Sequence, residues 1–171
     1  MTRSLMTSRS PPARNEELPT LDVVIEVPRG SFLKRGSTGR LDFVSPFPCP
    51  FNYGSVPRYL GLEGDLLDAV VLGPRLARGT RVSVPAVAAI RFEDRGLYDY
   101  KVICASQPLT KAQRARVLMF FRFYGVCKRL HNLVRGRPGR TACDGLCGAA
   151  EAIGCASPRE EGLWLGPEVP F

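Results

Sequence analysis

Short apolar runs, each of strand length and each closed by glycine or proline, constrain the fold of this chain most. Leu21–Val27 reads as a buried strand, Arg40–Val44 as a second candidate, Asp68–Leu72 as a short apolar strand, Thr80–Phe92 as a long one and Tyr98–Ala105 as another. Ser45–Phe51 carries three prolines in seven residues and reads as a loop or edge segment, because proline cannot donate to a strand ladder. Strands of this kind between Gly and Pro turns suggest a small β-barrel. A length of 171 residues favours one domain with a real core. The 44% apolar composition is enough to fold without staples.

Helix follows the strands. Thr110-Lys111-Ala112-Gln113 fits a capping box, in which the threonine hydroxyl and the glutamine side chain each satisfy a free amide. Val117, Phe120, Phe121, Tyr124, Cys127 and Leu130 then recur at helical spacing. Arg135–Arg140 breaks the chain, and Cys143–Ile153 reads as a second, shorter helix. The fold class expected is α+β and mainly β: a five-stranded, OB-like barrel flanked by two α-helices. Residues 1–20 are polar and aperiodic and read as a disordered tail, which leaves 21–171 as the domain. Glu160–Phe171 carries no strong signal. No stretch approaches the roughly 20 apolar residues of a membrane span, so the expectation is a soluble, cytoplasmic protein without a membrane partner.

The formal net charge of +8 comes mainly from arginine, with lysine only at Lys34, Lys101, Lys111 and Lys128. A basic surface attracts polyanions, but arginine-rich codon usage accounts for the same balance. A nucleic-acid-binding barrel needs aromatic residues clustered for stacking, and Phe43, Phe92, Tyr98 and Tyr100 are scattered. No nucleic-acid partner is expected. Cys49, Cys104 and Cys127 read as buried thiols, and Cys143 and Cys147 stand one helical turn apart. With His131 the only histidine and no CxxC pair, a zinc site is not expected.

Carboxylates carry the chemistry. Glu63-Gly64-Asp65-Leu66-Leu67-Asp68 places three acids on a turn that enters an apolar strand, where they would repel one another without a cation. Magnesium, a hard ion that prefers oxygen ligands, suits such a cluster. Asp94 and Asp99 form a second acidic group, and Asp99 and Lys101 alternate with Tyr100 on a strand, so they face the same way.

Together these segments resemble the family I (soluble) inorganic pyrophosphatases. Val23-Val24-Ile25-Glu26-Val27-Pro28 is similar to the family's opening strand, and Lys34 stands where it places its first phosphate-binding lysine. Phe51-Asn52-Tyr53-Gly54 matches its Asn-Tyr-Gly segment. Glu63–Asp68 matches its Asp-x-Asp-x-x-Asp signature with Glu in the first place. Asp94, Asp99 and Lys101 match its later acidic pair and lysine, and Phe120–Tyr124 matches a helix supplying a phosphate-contacting tyrosine. The resemblance runs from about Leu21 to Ile153. It implies magnesium-dependent hydrolysis of inorganic diphosphate to two phosphates by direct attack of a metal-bound water. By position, Glu63, Asp68 and Asp99 would hold the water-activating metals, and Asp94 and Glu26 those that arrive around the substrate. Asp65 would be the general base. Lys34, Lys101, Tyr53 and Tyr124 would contact phosphate oxygens. The resemblance also implies a homo-oligomer.

The chain departs from the pattern in several places. Gly36 replaces a glutamate, the loop before Asn52 is shorter, and the phosphate-binding arginine has no clear match. Gly125 replaces the lysine after Tyr124, although Lys128 lies one turn on and Arg122 is close. These departures raise the alternative of a degenerate pyrophosphatase-fold protein that binds a phosphate compound or a partner without turnover.

Overall fold

In this computed structural model the described residues are 18–35, 41–44 and 47–159, the side chains of 34, 35 and 41–44 excepted. The expectations for the tail, for Glu160–Phe171 and for Gly36 therefore fall outside the described residues, except that Thr20 already belongs to a strand. In chain order the elements are β1 (Thr20–Val27), β2 (Leu33–Arg35), β3 (Leu41–Val44), β4 (Asn52–Leu60), β5 (Leu66–Val71), β6 (Arg81–Asp94), β7 (Leu97–Tyr98), β8 (Lys101–Cys104), α1 (Lys111–Val134), β9 (Ala142–Cys147), α2 (Ala149–Cys155) and β10 (Ser157–Pro158).

Five strands close a barrel in the order β1-β4-β5-β8-β6, with β6 returning to β1. All these pairings are antiparallel except β5 with β8. This is the mainly β, OB-like barrel with two helices that the strand pattern implied. β2 pairs with β3 as a separate ribbon, β7 and β9 extend β6, and β10 caps the far end of β4.

Alternation along the strands builds two apolar layers. Val23, Ile25, Val56, Leu67, Ala69 and Val102 point into the barrel and fill it. Tyr53, Val70, Ile90, Ile103 and Phe92 point outward, beneath Val117 and Phe121 of α1. Side chains on successive strand residues go to opposite faces, so one set of strands supplies both layers. The capping box starts α1 as expected: Gln113 N donates to Thr110 Oγ1 at 3.2 Å, and Thr110 N to Gln113 Oε1 at 2.8 Å.

The structure corrects three expectations. Cys143–Ile153 is not one helix. Its first half is β9, paired with β6, and only Ala149–Cys155 is helical. Gly145, at φ 115°, sits where the β6–β9 register slips, a bulge position that suits glycine. The slip also separates the two cysteines, with Cys143 against the layer under α1 and Cys147 against the barrel interior. Tyr98–Ala105 is interrupted: β7 and β8 both pair with β6 in one register, the strand lapses at Asp99 and Tyr100, and β8 also runs parallel with β5. Finally, Leu130 does not continue the inward stripe of α1; it is exposed, and the buried positions run Val117, Phe121, Gly125 and Asn132.

The Asn-Tyr-Gly segment has a mechanical role at the start of β4. A Cβ at Gly54 would lie 1.9 Å from the carbonyl oxygen of Val24, so only glycine lets β1 and β4 approach here. The side chain of Asn52 is fully buried. Its Oδ1 accepts from Arg29 N at 3.0 Å and Leu76 N at 2.9 Å, and its Nδ2 donates to Pro74 O at 2.8 Å. One side chain thus ties two loops to the barrel. Asn52→Ala leaves those amides without acceptors and is expected to cost about 2–3 kcal/mol, measured as a shift of the urea midpoint at constant slope.

Candidate active site

The ladder register sets a polar row across the outer wall of the barrel. Ser55 lies opposite Asp68, and Asp68 opposite Lys101. Directly paired residues point to the same face, and Tyr53, two residues before Ser55, shares it. Glu26 joins from β1, its Oε1 accepting from the Ser55 hydroxyl at 2.7 Å.

Lys101 is completely buried, and its ammonium bridges the carboxylates of Asp68 and Asp99. The Tyr53 hydroxyl donates to the same Asp68 oxygen. The break between β7 and β8 positions Asp99, whose amide donates to Phe92 O at 2.8 Å. Burial, followed by the negative charges of Asp68 and Asp99, holds the Tyr53 phenol well above its ordinary value. Tyr53 therefore remains a proton donor at any working pH.

The last turns of α1 close the other side. Lys128 Nζ lies 2.9 Å from Asp94 Oδ2. Asn132 Nδ2 and Thr141 Oγ1 both reach Asp94 Oδ1, at 2.9 Å and 3.1 Å. Burial pushes the Asp94 carboxyl up, but the bond to Lys128, its charge and the other two hydrogen bonds prevail and hold it below the usual range. Tyr124 stands near enough to Tyr53 to act on its hydroxyl electrostatically.

Glu63 faces this group from the turn before β5. Its Oε1 is buried and has no hydrogen-bond partner. Burial first, then the charge of Asp99, push its carboxyl up to about 7, with Lys101 and Lys128 pulling the other way. Asp65, by contrast, is exposed; its backbone carbonyl accepts from Gly61 N at 2.7 Å. The structure thus gathers Glu63, Asp68, Asp94, Asp99, Lys101, Tyr53 and Tyr124, with Glu26 at the end of the row. The side chain of Lys34 lies outside the described residues.

Reading the sequence missed Asn132, Thr141 and Ser55, which hold the carboxylates in place. A signal existed for Asn132: Tyr124, Lys128 and Asn132 recur every four residues, so they share a helix face. Among the described residues no three carboxylate, histidine or cysteine groups converge closely enough to hold an ion. Lys101 stands between Asp68 and Asp99 instead. The donor set nevertheless fits a hard divalent cation: its atoms are carboxylate oxygens, and one of them, on Glu63, is buried without a partner.

The barrel and its row define an OB-like fold with a carboxylate–lysine–tyrosine site between the outer wall and a covering helix. Comparison with known proteins places it among relatives. Residues 23–119 match the family model described as inorganic pyrophosphatase. The chain belongs to that family. The match covers β1 through the first turns of α1, so Tyr124 and Lys128 lie beyond it. An inorganic pyrophosphatase of Haemophilus influenzae is 34% identical over 92 residues, 49% of this chain and 52% of its own length. One of Gluconobacter oxydans is 31% identical over 111 residues, 60% of this chain and 64% of its own. The chain thus spans about half to two thirds of the length of these curated relatives. Among solved structures, the Thermus thermophilus inorganic pyrophosphatase superposes with a TM-score of 0.66 at 27% identity, covering 83% of this chain and 90% of that one. The Neisseria gonorrhoeae inorganic pyrophosphatase gives 0.64 at 26% identity, covering 79% and 86%.

The Glu63 carboxyl generates a pH prediction. Its folded value of about 7 stands above the ordinary 4.5. Below pH 4.5 both folded and unfolded states hold the proton, and the group costs nothing. As pH rises through 7 the unfolded chain ionises first and stability falls, the penalty being complete above 7. The full linkage is about 3 kcal/mol, and water access to a partly buried group reduces it to roughly 1–2 kcal/mol. Glu63→Gln is expected to stabilise chelator-treated protein by that amount at pH 8, with the gap closing near pH 4. Urea unfolding at the two pH values checks it.

Proposed function

We propose that this protein hydrolyses inorganic diphosphate to two phosphates with magnesium, in the cytoplasm. The observation that carries the reading is the partnerless, buried oxygen of Glu63 among Asp68, Asp94 and Asp99. Family membership and relatives named inorganic pyrophosphatase support it. Glu63, Asp68 and Asp99 would hold the first cations, and Asp94 and Glu26 those that come with the substrate. Bound there, the cations would neutralise phosphate charge and acidify a water.

The chain's own groups do the rest. Asp65, exposed to solvent, accepts the proton of the attacking water. Tyr53 and Tyr124 donate hydrogen bonds to phosphate oxygens, a role that the raised pKa of Tyr53 favours. Lys101 fixes the mutual orientation of Asp68 and Asp99 and, with Lys34, attracts the substrate's charge. A second reading, a pyrophosphatase-fold protein that binds a phosphate compound without turnover, draws on one observation: Lys101 already bridges two carboxylates expected to share cations.

Phosphate release from diphosphate, with magnesium titrated and a chelator control, separates the two. The enzyme reading expects turnover that chelation abolishes; binding without turnover would favour the second. Asp65→Asn is expected to lower kcat at saturating magnesium by about 10²-fold or more, whereas Asp68→Asn is expected to raise the magnesium requirement. Unchanged kcat for Asp65→Asn would remove the general-base role.

A homo-oligomer is also proposed. Met119, Phe123, Val126, Leu130 and Leu133 are exposed on α1. Their alternating four- and three-residue spacing forms a second apolar seam, opposite the buried one, of the kind that packs against another helix. Double substitution Val126→Glu and Leu130→Glu is expected to lower the mass read by light scattering. A parent that is already monomeric at micromolar concentration would count against the oligomer.

A further inference from the structure

Among the described side chains, two lysines face the carboxylates, and they are held differently. Lys101 is on a strand in the barrel wall, its side chain 1% exposed, with its ammonium on both Asp68 and Asp99. Turning that ammonium toward a ligand would take it from two carboxylates at once. Lys128 is on the helix that covers the site, its side chain 23% exposed, at the end of a four-carbon stem. Its ion pair is with Asp94 Oδ2 at 2.9 Å.

Asp94 is built to be left by that ammonium. Its other oxygen keeps the bonds from Asn132 at 2.9 Å and Thr141 at 3.1 Å. Arg95 Nε lies 3.7 Å from Oδ2 and preserves a cation beside it. Gly125, one turn earlier, is buried where the helix packs: a Cβ there would meet Phe92 Cε2 at 3.5 Å, Cys143 N at 3.7 Å and Ala142 Cα at 3.8 Å. The Lys128 ammonium lies 6.0 Å from the Phe92 ring centre and 5.9 Å from that of Tyr124. Rings at this distance keep a cation favourable along its way, and Tyr124 is the neighbour of Tyr53.

From this geometry we infer that Lys128 is a phosphate-binding residue of the site, resting on Asp94 and turning to an anionic oxygen of diphosphate when it arrives. The inference rests on the diphosphate reading above, and binding of a non-hydrolysable analogue separates the two. Lys101 mainly orders the carboxylates, and Lys128 adds a cation that can turn to the substrate.

The test measures the affinity of methylenediphosphonate by calorimetry, with magnesium fixed, beside KM and kcat for diphosphate. Lys128→Met keeps the stem and removes the charge. It is expected to weaken the analogue at least about tenfold, the span of one charge-assisted hydrogen bond, and to raise KM more than it lowers kcat. Lys128→Arg keeps the pair with Asp94 and is expected to retain most of the affinity. Analogue binding equal to the parent in folded Lys128→Met overturns the inference even where the parent is an active diphosphatase. If Lys128→Met does not fold, a Lys128→Arg variant that folds and loses the analogue altogether overturns it too. A parent that neither binds the analogue nor hydrolyses diphosphate overturns both readings.

Discussion

A lysine with no surface in water is expensive unless every charge it carries is answered. Lys101 meets that condition through Asp68 on the neighbouring strand and Asp99 on the segment leading into its own. The pairing depends on the parallel alignment of β5 with β8, which sets Asp68 opposite Lys101. A one-residue slip would turn Lys101 into the barrel interior, among Val23, Ile25 and Val56. The ion pair therefore penalises the wrong register, and the register holds the site. The break after β7 belongs to the same arrangement, since Asp99 lies there, tied to β6 by its amide and to the lysine by its carboxylate.

The helix α1 joins this row to the second apolar layer. Its inward stripe begins with Val117 and Phe121, which press on Ile103, Phe92 and Val70. Four residues past Tyr124 the stripe becomes polar, with Lys128 and then Asn132 meeting Asp94. One helix face is thus a lid on hydrocarbon at its start and a ligand for a carboxylate at its end. The packing of the first half fixes the angle at which the second half approaches the acids, so the apolar layer positions polar groups it does not touch.

Four of the five barrel strands were legible between Leu21 and Cys104 because each run alternates or is wholly apolar between Gly and Pro turns; β4 was not read as a strand, and Arg40–Val44, which was, belongs to the separate β2–β3 ribbon. Glu63, Asp68, Asp94 and Asp99 were legible from the order of the motifs along the chain, since an acidic turn alone is more often solvated, as Asp65 is. What was not legible depended on glycine and on long-range pairing. Cys143–Ile153 has the composition of a helix, yet β6 had an unpaired edge to offer and Gly145 permits the bulge that pairing requires. Tyr98–Ala105 looks continuous, since nothing local reveals that its ladder with β6 lapses at Asp99 and Tyr100. Asn52 looked like part of a motif, and its task is to answer backbone amides from loops 23 and 24 residues away. The position of Lys128 was visible, but its role depends on the ring of Phe92, brought beneath it by a strand remote in sequence.

The substitution of glutamate for aspartate at position 63 gains a physical meaning in this setting. Four carboxylates, of Glu63, Asp68, Asp94 and Asp99, face two ammonium groups, of Lys101 and Lys128. Asp68 and Asp99 share the first ammonium, and Asp94 takes the second along with two neutral donors. Glu63 comes last and receives only the distant attraction of both lysines, which fails to offset its burial and the repulsion of Asp99. The unpaid desolvation is concentrated on one oxygen, at the end of the longest carboxylate side chain in the group. A group left in that state binds a proton near neutral pH, and a divalent cation that displaces the proton relieves both the burial and the repulsion. The extra methylene carries the unmet charge toward Asp99 and Asp94, among the groups that a cation would join, and Lys128 lowers the cost of keeping it there. Glutamate at 63 and lysine at 128 thus act on the same deficit from opposite walls of the site.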